Sequence, residues 1–76
     1  MHVVVAKVDE VLFDGEAKSL TVPGSAGEMT ILGHHEPLIT TLKEGTIVVR
    51  TSEGEKEFAV TSGALEVGPH GATVIL

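Results

Sequence analysis

The side chains best suited to chemistry stand next to one another at His34-His35-Glu36. Imidazole nitrogens and a carboxylate are ligands that zinc accepts, and His2 or His70 would supply a further one. Adjacent residues of an extended segment point to opposite sides of the chain, so His34 and His35 cannot easily converge on one ion. No His-x-His or His-x-x-x-His spacing accompanies them. The sequence therefore predicts solvated or hydrogen-bonded imidazoles and no bound metal.

The serines and paired carboxylates also lack the arrangements that catalysis requires. The Gly-x-Ser-x-Gly motif separates its serine from the first glycine by one residue, whereas Ser25 follows Gly24 directly. Glu53 and Glu55 flank Gly54 in a polar link, where solvation keeps their chemistry ordinary. The absence of cysteine removes disulfides, thiolate nucleophiles and cysteine-ligated metals together. We therefore expect no catalytic residue, no cofactor and no enzymatic activity.

Charge and hydropathy exclude two further classes of function. The 11 acidic and 5 basic residues give a formal charge of -6, the wrong sign for neutralising phosphates, so nucleic-acid binding is not expected. No apolar stretch approaches the roughly 20 residues that cross a bilayer, and residues 1–7 lack the features of a signal peptide. We expect no direct insertion into a membrane.

Length and composition predict one domain, spanning residues 1–76, with a thin core. A chain of 76 residues buries only roughly 60% of its unfolded surface. Aromatic residues make up 3% of the chain, so Val, Ile, Leu and Ala must fill the interior, with Phe13 and Phe58 as the only large side chains. The domain's stability is therefore expected to come from close packing or from a partner.

Glycine and proline recur so often that few stretches reach the length of an ordinary helix, about 11 residues. Alternating and β-branched patterns predict strands instead. The predicted strands span residues 3–8, 11–13, 19–22, 29–32, 46–51, 56–61, 64–67 and 73–76. The stretch 38–44 is open to two interpretations: Leu38, Ile39 and Leu42 fit one face of a short helix, whereas Thr40-Thr41 favours a strand.

Two polar links predict hairpins. Residues 52–55 join strands 46–51 and 56–61, and Gly54 can take the positive φ that such loops often require. Residues 68–71 form a four-residue turn signal between strands 64–67 and 73–76. Pro69 is its second residue and Gly71 its last, the positions where a tight turn accepts these residue types. Strands without an intervening βαβ rhythm predict an all-β sandwich or barrel.

Several blocks in order resemble a known family. The run Val22-Pro23-Gly24-Ser25-Ala26-Gly27-Glu28-Met29-Thr30-Ile31-Leu32, continuing to Gly45, closely resembles the signature of the epsilon subunits of F-type ATP synthases. Residues 12–17 resemble the family's short strand and residues 58–67 its closing strands, so the resemblance covers essentially the whole chain. One departure lies at Gly33-His34-His35-Glu36-Pro37, where the family usually has Pro-Gly-His-Ala-Pro and His35 matches its histidine.

The resemblance implies a flattened β-sandwich of about ten short strands, the N-terminal domain of that subunit, without its C-terminal helical hairpin. It also implies a non-catalytic rotor part that couples the gamma subunit to the c-ring during proton-driven ATP synthesis. Such a part is peripheral to the cytoplasmic face of the bacterial inner membrane, and we expect it to be a monomer when isolated. The alternative is a free-standing β-sandwich adaptor that binds another protein through the same exposed edge.

The resemblance further implies two contact surfaces. For the c-ring these are Ser25, Gly27, Glu28, Met29 and His35, and for the gamma subunit Lys7, His35, Leu38, Thr40 and Leu42. Each assignment has a simpler alternative: Glu28 as a solvated turn carboxylate, His35 as a partly exposed loop histidine, and at least one of Leu38 and Leu42 as a core residue.

Overall fold

The computed structural model describes residues 1–33 and 37–76, and every regular element in them is a strand. No helix in this part of the chain is long and apolar enough to cross a membrane. The strands are β1 (His2–Lys7), β2 (Glu10–Glu16), β3 (Ser19–Gly24), β4 (Gly27–Leu32), β5 (Leu38–Leu42), β6 (Gly45–Thr51), β7 (Gly54–Val60), β8 (Gly63–Gly68) and β9 (Gly71–Ile75).

All eight predicted strands are confirmed, and the ambiguous stretch supplies the ninth, β5. It forms a strand because β8 lies beside it and pairs with it from Leu38 opposite Val67 to Leu42 opposite Gly63. Its exposure alternates, with Ile39 outside and Leu42 inside, as a half-buried strand requires. Pairing with β8 therefore decides between helix and strand, which the local sequence leaves open.

The strands form one hydrogen-bonded sheet in the order β2-β1-β9-β8-β5-β3-β6-β7, with β4 added to β3. Neighbours are antiparallel except for β1 and β9, which run parallel. The sheet turns a corner at β3, because Ser19 to Thr21 pair with β6 whereas Gly24 pairs with Leu42 of β5. Two backbone bonds hold this corner: Lys43 N–H donates to the Pro23 carbonyl (2.9 Å) and Ser25 N–H to the Thr41 carbonyl (3.0 Å).

The corner folds the sheet into two layers. We call β2-β1-β9-β8-β5 the first layer and β4-β3-β6-β7 the second layer. This arrangement confirms the predicted all-β class, with nine strands in residues 1–33 and 37–76 where about ten were expected. Because successive strands reverse direction, the turns gather at two ends of the domain. The Glu28 end holds turns 8–9, 25–26, 43–44 and 61–62, and the His70 end holds residues 17–18, 52–53 and 69–70.

The core lies between the layers and is aliphatic, as the composition predicts. Its largest fully buried side chains are Leu20, Ile31, Ile47 and Leu65. Phe13 and Phe58 are only partly buried and pack against the margin of this cluster, so they are not its central side chains. Leu42, at 5% exposure, belongs to the core.

Both predicted hairpins form, and glycine conformation is decisive in them. Gly54 has φ +126°, and Thr51 Oγ1 closes the turn by donating to the Gly54 carbonyl (3.0 Å) while accepting from Glu53 N–H (3.1 Å). Gly71 has φ +136° and packs against the backbone carbonyl of His2, so that a Cβ there would overlap this carbonyl. The β8–β9 turn is thus fitted directly onto the start of β1.

We predict that Gly71→Ala destabilises the domain more than Gly54→Ala. Both substitutions place alanine at a positive φ, a strain of roughly 1–3 kcal/mol. Only position 71 adds a clash with the His2 carbonyl, whereas nothing lies within 4 Å of a Cβ at position 54. Urea unfolding followed by circular dichroism should therefore give the lower unfolding free energy for Gly71→Ala. Equal losses would show that the β8–β9 turn does not rest on β1.

We also predict that neighbouring residues of β5 differ sharply in their contribution to stability. Leu42→Ala should lower the unfolding free energy by about 2–5 kcal/mol, because it empties a space in the core. Ile39→Ala should change it by no more than about 0.5 kcal/mol, because Ile39 is 77% exposed. The same urea titration measures both values, and a large loss for Ile39→Ala would contradict the observed orientation of β5.

Candidate functional site

The outer face of the first layer carries an apolar row across four strands. Val11 lies opposite Ala6, Ala6 pairs with Ile75, and Ile75 lies opposite Ala64. The inward neighbours of this row, Val5, Val74 and Leu65, are fully buried, so the row itself must face outward. Val11 is 62% exposed and Ile75 50%. We call Val11, Ala6, Ile75 and Ala64 the apolar row.

A second set of residues extends this face toward β5. Val4 pairs with Thr73, Thr73 lies opposite Glu66, and Glu66 lies opposite the exposed Ile39. The face therefore combines aliphatic side chains with one carboxylate between β9 and β5.

The outer face of the second layer is polar by comparison. Thr21 and Thr30 share a hydrogen bond between their hydroxyls (3.0 Å), and Arg50 Nη2 donates to Glu55 Oε2 (2.6 Å). These side chains satisfy one another and remain in contact with water. Three large exposed aliphatic residues, Val11, Ile75 and Ile39, gather on the first layer, whereas the second layer exposes Leu32. A cluster of this kind is typical of a binding surface. The first layer thus presents the surface that is better suited to being covered.

The turn between β3 and β4 forms the second candidate surface. Gly24 pairs with Gly27, which has φ +136°, and Ser25 and Glu28 are exposed. Met29 is half-buried and packs against the core, so it supports the turn from below. The c-ring residues predicted from sequence that the structure describes thus lie together at one end of the domain, with Glu28 available to a partner.

The residues predicted to contact the gamma subunit do not form one exposed cluster. Leu38, Thr40 and Leu42 share the inward side of β5, because residues two apart point the same way. Leu42 is buried in the core, which removes it from any docking surface and corrects that assignment. Leu38 and Thr40 are half-buried, whereas Lys7 is exposed at the Glu28 end.

Sequence reasoning missed the most exposed residue of β5, Ile39, together with Val11 and Ile75. The signal was present, since the alternation of a strand places Ile39 on the side opposite Leu42. It could be used only after β5 was known to be a strand. His35 lies outside the described residues, as do His34 and Glu36, so its assignment stays a prediction.

The described residues offer little for metal or acid–base chemistry. In residues 1–33 and 37–76 no group of three His, Asp or Glu side chains could hold a metal ion. His2 Nε2 lies 2.6 Å from Asp14 Oδ1, an exposed pair that links β1 to β2. In the same part of the chain, Ser19 is the one buried polar or charged side chain. What the geometry offers is surfaces for docking.

Comparison with known proteins agrees with the fold. The family model described as "ATP synthase, Delta/Epsilon chain, beta-sandwich domain" matches residues 1–76. The ATP synthase epsilon chain of Bordetella parapertussis is 46% identical over 76 residues, which cover 99% of this chain and 54% of that protein. The epsilon chain of Verminephrobacter eiseniae is 41% identical and is covered to 55%. The chain thus spans about half the length of these relatives.

Solved structures share the fold at low identity. A chain of the Euglena gracilis mitochondrial ATP synthase, in a structure of its OSCP/F1/c-ring, superposes with a TM-score of 0.86 at 22% identity, covering 96% of this chain and 48% of that one. A chain of the Tetrahymena thermophila mitochondrial ATP synthase central stalk and c-ring gives a TM-score of 0.83 at 13% identity, with coverages of 99% and 61%. These two structural similarities establish the fold alone, and the family model establishes the protein family. The chain belongs to the β-sandwich domain family of ATP synthase delta and epsilon chains.

Proposed function

We propose that this chain is a non-catalytic part of the central stalk of an F-type ATP synthase, where it couples the gamma subunit to the c-ring. The observation that carries the proposal is the apolar row, exposed on one layer of a domain whose family works within a rotary complex. The relatives named epsilon chain and the structures titled as central stalk and c-ring support it. Transmission of torque needs two firm interfaces and no chemistry.

The gamma subunit is the proposed partner of the apolar row. Val11, Ile75 and Ile39 would bury their exposed aliphatic surface, and removal of this surface from water favours the complex. Glu66 lies beside Ile39 and would accept a hydrogen bond from a basic or amide side chain. The domain measures 26 × 25 × 20 Å. Its broad face is therefore comparable with the roughly 800 Å² that each partner buries in a standard interface.

The c-ring is the proposed partner of the turn that carries Glu28. An exposed carboxylate beside a glycine with positive φ can approach a neighbouring loop closely and accept charge-assisted hydrogen bonds from Arg, Asn or Gln. Ser25 and Gly27 shape this turn, and Met29 anchors it to the core. The two surfaces differ in orientation, since one is a sheet face and the other lies at the strand ends.

The proposed location follows from the proposed assembly. The bacterial relatives support a peripheral position at the cytoplasmic face of the inner membrane, held there through the other subunits. The chain itself would contribute no catalytic residue to proton-driven ATP synthesis. A free-standing adaptor that binds another protein through the apolar row is the second candidate, and binding to the gamma subunit separates the two.

We predict that Ile39→Asp and Val11→Asp each weaken binding to the gamma subunit of the same organism at least about tenfold, because each buries a carboxylate in an apolar interface. Isothermal titration calorimetry measures the affinities. Thr46→Asp is the matched control, because it adds the same charge to an exposed position of the second layer. Unchanged affinity in both variants would remove both the apolar row and the neighbouring Ile39 from the gamma interface. No binding by the unsubstituted chain would favour the adaptor.

We further predict that Glu28→Gln weakens attachment to the c-ring about tenfold, because a neutral amide accepts weaker hydrogen bonds than a carboxylate does. Co-sedimentation of the complex of this chain with gamma on purified c-rings gives the affinity. Glu57→Gln removes the same charge from exposed β7 and should have no effect. An equal loss in both variants would show that only net charge matters.

A further inference from the structure

Within the described residues three strands pair on one side only, β2, β7 and β4, while β5 meets β3 only at Leu42. A free strand edge exposes unpaired N–H and C=O groups that can pair with another strand unless the sequence prevents it. Charged side chains and bulges are the usual protection. The three edges of this domain differ in how far they carry such protection.

The edges of β2 and β7 are protected. The register of β2 shifts opposite Val5 and Ala6, and Glu10, Asp14 and Glu16 add charge along it. β7 carries three consecutive exposed charged residues, at positions 55–57. Bulges and closely spaced charges both oppose the docking of a further strand.

The edge of β4 has neither form of protection. It pairs with β3 without a shift from Gly27 to Leu32, and Glu28 is its one charged residue. We propose that this edge binds the β4 edge of a second copy of the same chain, as an antiparallel pair that joins the second layers of two molecules. This inference does not rest on the proposed function, and it revises the expectation of a monomer.

The direction of the backbone groups shows which residues would pair. Pro23 has no N–H, and its carbonyl accepts from Lys43 on the side away from β4. The N–H and C=O groups of successive residues point alternately to the two sides of a strand. Gly27 and Met29 therefore direct these groups to their partners on β3, Gly24 and Val22. Glu28, which lies opposite Pro23, directs its groups to the free edge. The same alternation turns the N–H and C=O groups of Thr30 and Leu32 to the free edge.

These outward residues are self-complementary. In a two-fold pair centred on Thr30, Thr30 lies opposite Thr30 of the second copy, and Glu28 lies opposite its Leu32. All outward N–H and C=O groups of the three residues then find a partner, which neighbouring registers do not achieve. The two Glu28 carboxylates fall at opposite ends of the pair, so no like charges face each other.

The side chains fit the same arrangement. Met29 would lie opposite Ile31 of the second copy on the inner face, where the half-buried Met29 gains cover. Leu32, which is 58% exposed, would be covered in part on the outer face. The charge of -6 on each copy opposes association, so salt should strengthen the pair by screening this repulsion.

Sedimentation equilibrium over a concentration series up to about 1 mM tests the proposal. The expected result is a reversible dimer that is tighter at 0.5 M NaCl, a salt level where the Debye length is only several ångströms. Thr30→Pro removes an outward N–H from each copy without removing a backbone hydrogen bond to β3, although it also loses the side-chain bond to Thr21, so it should weaken dimerisation at least about tenfold. Glu57→Pro is the matched control, because Glu57 likewise directs its N–H to a free edge, that of β7.

A second pair of variants keeps the test decisive if Thr30→Pro fails to fold. Thr30→Lys makes each copy less acidic but places two like charges opposite each other, so it should weaken the dimer although the net repulsion falls. Thr30→Val retains the N–H and the β-branched shape and should leave dimerisation within about threefold of the original. A monomer at every concentration and salt level would overturn the proposal, and so would equal dimerisation of Thr30→Lys and Thr30→Val.

Discussion

The burial of aliphatic side chains between two sheet layers is the constraint on which the rest of the structure depends. A chain with two phenylalanines and no tyrosine or tryptophan cannot centre its core on a few large rings, so strands from both layers must contribute small branched residues. This requirement places alternate residues of the strands inward and leaves the outward positions less constrained by packing. A cluster of exposed aliphatic residues at outward positions is therefore not required by the core. Docking provides an explanation for Val11, Ile75 and Ile39.

The corner of the sheet links the two proposed surfaces mechanically. Ser25, in the turn that leads to Glu28, donates its N–H to the Thr41 carbonyl of β5, the strand that carries Ile39. Gly24 permits the tight β3–β4 turn beside this corner, because a Cβ there would come within 2.8 Å of the Gly27 carbonyl. A force applied at the turn would thus reach the first layer through backbone hydrogen bonds and not through flexible side chains. A body that transmits torque needs this kind of connection.

The sequence predicts the strands well because alternation and glycine-containing turns are local properties. Gly54 and Gly71 illustrate this, since each stands where a positive φ is required. The identity of β5 is not local: its five residues fit a helix or a strand until β8 pairs with them. The same gap explains the error at Leu42, because the phase of the alternation, and with it the choice between Leu42 and Ile39 as the outward residue, depends on which side of β5 meets the core. The family resemblance pointed to Glu28, which composition and periodicity cannot distinguish from other exposed glutamates.

The distribution of charge supports the same division of surfaces. Carboxylates are placed along the edges of β2 and β7 and at the strand ends, whereas the apolar row contains no charged residue. A strongly acidic surface keeps a small domain soluble and discourages unselective contact, even when one face is apolar. Because Lys and Arg are absent from that row, a partner gains apolar contact there without having to desolvate a cation. The acidic excess, which at first only excludes nucleic acids, therefore also makes an exposed apolar face tolerable in a domain with so thin a core.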